Sequence, residues 1–206
     1  SQGNGRAGIN VVTSTFNTVV EDNTVLENGG TGIFVQNGSH SVQLNRNRII
    51  GNAHNGVFLR DAKAMRLTDN YITLNGRAGV RINGGQDISI RESTIIHNLA
   101  DGKTGLSEVF LDLHADVGPA GVEVAYNHIA ARRNAAVMEC PEASGTRVTD
   151  NVYDSADPRG IVLQAKNAVA ERNRRLRVGR WYGWDDPLAQ TGTNWLSAGR
   201  DGEASQ

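Results

Sequence analysis

The chain has 206 residues, a formal net charge of −1 at neutral pH, one cysteine, and 38% hydrophobic but only 5% aromatic residues. Its 24 glycines and 20 asparagines are poor helix formers and good turn formers, which excludes a helix bundle. Evenly recurring Val, Ile and Leu exclude disorder, no apolar run is long enough to cross a membrane as a helix, and the near-neutral balance excludes a dedicated nucleic-acid binder.

From the N-terminus, Ser1-Gln2-Gly3-Asn4-Gly5 has no charged-then-apolar leader pattern. Then a repeat sets in. Gly-Ile-Asn-Val begins at Gly8, Gly-Ile-Phe-Val at Gly32, Gly-Val-Phe-Leu at Gly56 and Gly-Val-Arg-Ile at Gly79. A second series, Asn23, Asn47, Asn70 and Ser93, and a third, Asn28, Asn52, Asn75 and Asn98, keep the same period. Within each repeat apolar residues alternate, as in Val42/Leu44 and Ile88/Ile90, so the unit is a set of short strands. Stacked coils of this size predict an all-β fold, a right-handed parallel β-helix of about seven coils. Asparagines at coil corners are expected to hydrogen-bond the coils above and below; calcium or sugar ligation is the alternative.

Further along, the second series resumes at Asn127, Asn151 and Asn173, and the long step from Ser93 predicts an insertion at 99–120. That segment carries Asp112-Leu113-His114-Ala115-Asp116, an acid and base cluster or a plain polar loop. Arg172, Arg174, Arg175, Arg177 and Arg180 form a basic run near the last coil, read as a solvated face or a polyanion contact. Trp181-Tyr182-Gly183-Trp184 and Trp195 suit an apolar cap. The expected organisation is therefore a β-helix over 1–180 and a C-terminal cap and tail over 181–206.

Alternation also sorts the Gly-led strands into faces. Ile9/Val11, Ile33/Val35, Val57/Leu59 and Val80/Ile82 point inward; Asn10, Phe34, Phe58 and Arg81 form one outward column, and Val12, Gln36, Arg60 and Asn83 the next. Arg6, His54 and Arg77 each stand two residues before a glycine beside these columns. Such a face reads either as a cleft for a linear polyanionic sugar, with guanidinium groups for carboxylates and amides for hydroxyls, or as a solvated surface whose phenylalanines a loop covers.

Arg6-Ala7-Gly8-Ile9-Asn10-Val11-Val12-Thr13-Ser14-Thr15 resembles a segment of the catalytic module of secreted bacterial mannuronan C5-epimerases and their alginate lyase relatives. Gly30-Thr31-Gly32-Ile33-Phe34-Val35-Gln36, Gly79–Ile88 and Glu108-Val109-Phe110-Leu111 continue in register, and the resemblance spans about residues 5–173. It implies a right-handed β-helix acting on alginate or a related polyuronate, outside the cell or at its surface, with calcium as the cofactor. It also implies cleft roles for Arg6, Gln36 and Arg60, the last standing where the family has Lys, and an approach of Glu108 to substrate.

The pattern departs in two places. Ala7 replaces a His, and the family's Asp-Pro-His-Glu motif has no match, since Asp157-Pro158-Arg159 and Asp186-Pro187-Leu188 share only two letters with it. Neither does a Gly-Gly-x-Gly-x-Asp calcium repeat occur. The expected substrate-binding residues are Arg6, Asn10, Gln36, His54, Arg60, Arg81 and Glu108; no catalytic residue or metal ligand is assigned. The expected partner is an acidic polysaccharide bound by a monomer, with neither nucleic acid nor membrane. A non-catalytic polyuronate-binding module, a structural or adhesive β-helix, and an alginate lyase are the alternatives.

Overall fold

In the computed structural model, which describes residues 1–100, 106–131, 135–155, 157–165 and 167–176 and the backbone of Trp195–Leu196, each repeat is one coil of three short strands. The Gly-led strands Ile9–Val11, Ile33–Gln36, Val57–Arg60, Val80–Asn83, Val109–Asp112, Val137–Glu139 and Ile161–Leu163, extended by Trp195–Leu196, stack in chain order as the first sheet. A second sheet runs from Val19–Glu21 to Val169–Glu171 and a third from Thr24–Leu26 to Arg174–Arg175, each of seven strands. Every pairing is parallel, and no helix occurs among the described residues. The seven coils agree with the period read from the sequence.

The in-register stacking puts like residues above like. Ile33, Val57, Val80, Val109, Val137 and Ile161 pair in turn along the first sheet, and Leu44, Leu67, Ile90, Val124 and Val148 along the second. All of these are solvent-free, and they meet Ile49, Ile72, Ile95 and Ile129 of the third sheet in one continuous core. Burying a Val, Leu or Ile side chain stabilises by about 1.5–3 kcal/mol, so each coil adds a similar increment over its neighbour.

Both asparagine series are structural. In each, the side-chain oxygen of one asparagine accepts from the backbone N–H and from the side-chain amide of its counterpart in the preceding coil. Asn28 donates this way to Asn52 (3.1 and 2.8 Å), Asn52 to Asn75 (3.0 and 2.9 Å), and Asn127 to Asn151 (2.9 and 3.0 Å). The first of these ladders begins at Asn4, one coil earlier than the repeat suggested. Ser93 fills an asparagine place with its hydroxyl, accepting from the Asn70 N–H at 3.1 Å.

The residue before a ladder position carries the bend. Asp22, Arg46, Asp69, Glu92, Tyr126, Asp150 and Arg172 all have φ between +51° and +58°, in the left-handed region that disfavours non-glycine residues. The Gly-led strands use glycine for a different reason, close approach. A Cβ at Gly56 would lie 2.7 Å from the Gly79 carbonyl oxygen and 2.4 Å from Cγ2 of Ile72.

The long step after Ser93 is two enlarged turns rather than one insertion. Val80 pairs with Val109, 29 residues on, whereas Gln86 pairs with Ala120, 34 residues on. The excess is thus shared between the connections before and after Val109–Asp112, and that strand is a regular rung of the first sheet within the segment 99–120. The aromatic cluster from Trp181, the cap assigned to it, and Arg177 and Arg180 lie outside the described residues.

Replacing Asn52 by Ala leaves the Asn28 backbone and side-chain donors and the Val25 carbonyl without the bonds they now make. At about 1–3 kcal/mol for each unsatisfied buried group, Asn52→Ala is expected to cost about 3 kcal/mol or more, read as a lowered urea midpoint.

Candidate functional site

The outward side of the first four coils of the first sheet forms a groove of about 580 Å³. Six of the seven residues expected to bind substrate line it: Arg6, Asn10, Gln36, His54, Arg60 and Arg81. Arg77, Asn83, Phe34 and Phe58 line it as well. Four guanidinium groups, of Arg6, Arg60, Arg77 and Arg81, share this concavity, and among the described residues no carboxylate lines it.

Strand register makes this assembly. Asn10, Phe34, Phe58, Arg81, Phe110 and Met138 are direct cross-strand neighbours, and Gln36, Arg60, Asn83 and Asp112 form the parallel column beside them. Along the third column the His54 N–H donates to the Gly30 carbonyl (3.0 Å) and the Arg77 N–H to the His54 carbonyl (2.9 Å). Gly30 therefore stands between Arg6 and His54, where any side chain would strike the Arg6 backbone at 2.8 Å. That gap lets the groove reach across the column.

Phe34 and Phe58 pack on one another and under guanidinium groups. Their rings stack on one another, 4.9 Å between centroids and 3° from parallel. The Arg60 guanidinium lies 5.3 Å from the Phe34 centroid and 5.0 Å from that of Phe58, and Arg81 lies 5.3 Å from Phe58 and 5.8 Å from Phe110. Rings hold these guanidinium groups by cation–π attraction without neutralising them. Arg60 has no carboxylate partner among the described residues, whereas Arg81 donates to Asp112 in the next coil.

Glu108 is corrected by the structure. It is fully buried, and its carboxylate accepts from the Asn98 backbone N–H (3.0 Å) and the Asn98 side-chain amide (2.6 Å), closing the ladder that starts at Asn4. A carboxylate offers the acceptor oxygens that an asparagine of the following coil would have supplied. Glu139 of the next coil is also interior: it follows Leu111 in the inward column and accepts from the Gln164 and Ala165 N–H groups at 3.1 and 3.3 Å.

A second concavity, of about 420 Å³, lies on the outer side of the second sheet and is lined by Arg66, Asp87, Arg91 and Glu123 among others. Two of its charges pair with each other. Arg91 donates twice to Glu123 and Ser89 adds a third bond at 3.1 Å. The Arg91 hydrogen bonds hold the Glu123 carboxyl below its ordinary range against the opposing effect of burial.

Calcium, implied by the resemblance, does not fit the groove. A hard dication needs several oxygen ligands, chiefly carboxylates, and the lining is cationic. Among the described residues no group of three or more His, Cys, Asp or Glu gathers to hold a metal ion.

Parallel coils with an arginine- and phenylalanine-lined groove along one face define the class of this protein as a β-solenoid. The family model described as "right handed beta helix region" matches residues 7–174, and the chain belongs to that family. Among solved structures it is similar to the A-module of the Azotobacter vinelandii mannuronan C-5 epimerase AlgE4, at 21% identity and a TM-score of 0.56, over 86% of this chain and 48% of that one. It is also similar to the A-module of AlgE6 from the same organism, at 20% identity and a TM-score of 0.62, over 85% and 50%. The likeness is one of fold, and the chain spans about half the length of these modules. No curated protein matches the chain.

A ladder role for Glu108 sets an order of stabilities. Glu108→Gln keeps an acceptor oxygen for Asn98 and is expected to lose about 1 kcal/mol, whereas Glu108→Ala loses about 2–3 kcal/mol. Urea midpoints check this; equal, near-zero losses contradict the ladder role.

Proposed function

We propose that the groove binds an acidic polysaccharide of the polyuronate class, laid along the helix axis across the first four coils. One observation carries this: Arg6, Arg60 and Arg81 line a single concavity that has no carboxylate among its described lining residues, beside two stacked phenylalanines and the amides of Asn10, Gln36 and Asn83. Neighbouring strands lie about 4.8 Å apart, so side chains of successive coils repeat on the scale of one sugar residue. Guanidinium groups suit carboxylates by their planar fork of donors, amides suit hydroxyls, and an apolar ring suits a sugar face. The shared fold with two modules named as mannuronan C-5 epimerases supports the same polymer class.

The assigned role is binding with charge neutralisation. Epimerisation at C5, or elimination across C4 and C5, removes a proton next to a carboxylate, and a cation on that carboxylate is what makes the step accessible. Arg60 suits that duty, lacking an internal counter-ion among the described residues. It does not suit proton transfer, because a guanidinium stays charged at any physiological pH. Among the described residues the lining contains no acid and no tyrosine, and His54 is the one ionisable side chain there apart from the arginines. These 206 residues are therefore expected to bind the polymer with little or no turnover.

Polymannuronate titrated into the chain is expected to bind at about 0.01 M salt and to weaken sharply by about 0.15 M, as the screening length falls from about 30 Å to about 8 Å. Arg60→Ala is expected to weaken binding about tenfold, with Arg60→Lys in between, while a neutral glucan binds neither protein. Absence of binding at low salt, or an unchanged affinity in Arg60→Ala, contradicts the reading. Proton NMR of the incubated polymer checks turnover; a guluronate or unsaturated-uronate signal in proportion to the protein contradicts the assignment to binding alone.

A further inference from the structure

Arg60 and Arg81 stand on adjacent coils of the same groove and share the Phe58 ring, yet they differ in one respect. Arg81 donates to Oδ2 of Asp112, and each side chain of the pair is about one quarter exposed, 25% and 26%. Asp112 is held in turn: its Oδ1 accepts from the Leu113 N–H at 2.8 Å. The turn that follows is fixed over the groove's C-terminal end by an Asn83 side-chain bond to the Leu113 carbonyl and by paired backbone bonds between His114 and Val117, at 2.9 and 3.0 Å.

In the column Gln36, Arg60, Asn83, Asp112 the chemistry reads amide, guanidinium, amide, carboxylate. Asp112 belongs to coil five, one rung beyond the last groove residue, and it presents to Arg81 the group that a uronate would present. We infer that Asp112 is an internal stand-in for a substrate carboxylate: it occupies Arg81, ends the anion track at coil four, and thereby sets how many sugar residues the groove holds. This rests on the polyuronate reading above. The carboxylate is tethered to the chain and partly shielded from solvent, so a polymer carboxylate competes for Arg81 at a disadvantage. The tether is the strand Val109–Asp112 itself, held in register beside Val80–Asn83.

The test uses the full chain and a size series of oligomannuronates, with affinity followed against oligomer length. In the wild type the affinity rises with length and then levels off. Asp112→Asn preserves an acceptor for the Leu113 N–H and releases Arg81; it is expected to bind long oligomers about tenfold more tightly and to level off at a length greater by at least one residue. Asp112→Ser, a second neutral replacement, is expected to do the same, which covers a folding defect in either one. Adding Arg81→Gln to Asp112→Asn is expected to abolish the gain. Asp69→Asn changes the net charge equally at an exposed turn of another face and is expected to leave the plateau where it was.

If the wild type binds but both Asp112 variants keep its affinity and plateau, the stand-in is overturned and the polyuronate reading survives. A gain that persists with Arg81→Gln, or that Asp69→Asn reproduces, overturns it as well, because net charge then explains the effect. If the wild type binds no oligomer of any length, the reading beneath it falls.

Discussion

A ladder asparagine receives two hydrogen bonds on one oxygen, from the backbone and the side chain of the same residue one coil earlier, and the arrangement recurs from coil to coil. Asn28, Asn52 and Asn75 show the unit. The bonds all point the same way along the axis, so each polarises the next in a buried setting where a missing partner is costly. This is the contact that makes the bends tolerable. The residues before one ladder, Asp22 through Arg172, sit in the left-handed region although none is glycine, at roughly 1–2 kcal/mol each. Arg46 bonds Asp22 and Arg172 bonds Asp150 across those bends, but these pairs are exposed and add little. The buried amides carry the turn.

Fixing the bend fixes the period, and the period fixes what stands beside what. Because the strands are parallel and in register, a residue's neighbours on the outer face are its counterparts in the coils before and after. Phe34 stacks on Phe58 for this reason, and Arg81 falls between Phe58 and Phe110. The same rule gives opposite electrostatics on two sheets. On the second sheet Ser89 and Glu123 pair across strands and Arg91 reaches over to the carboxylate, so these two charges neutralise one another. On the first sheet the columns through coils one to four hold amides, rings and guanidinium groups, and no acid enters until Asp112.

Much of this is readable from residue order, because in a solenoid spacing along the chain becomes position in space. The 22–24-residue steps between asparagines locate the coils, alternation separates inward from outward, and glycines mark where two coils touch. Arg6 and Arg81, 75 residues apart in sequence, are thereby predicted to share a wall, and they do. The misreadings arise where the period breaks. The step from Ser93 to Asn127 measures a whole coil, so it reports how many residues were added and not that two turns share them around a regular strand. Glu108 stands where other coils carry glycine, a place that looks like the entrance to a groove strand. Its partner Asn98 is ten residues back, not a full coil away, so no ladder spacing announces it.

The break in period is also where the chain departs from a uniform track. A perfectly repeating solenoid presents an outer column with no natural end, and a linear polymer could slide along it without registry. The Gly-led rung of coil five, between the two enlarged turns, carries two carboxylates that face opposite ways. Glu108 turns inward and terminates the ladder; Asp112 faces outward and meets Arg81. One closes a run of buried donors that would otherwise lack an acceptor, and the other closes a run of outward cations. The same rung therefore bounds the interior hydrogen-bond chain and meets the last outward arginine of the groove, which ties the end of the groove to the architecture that holds the coils together.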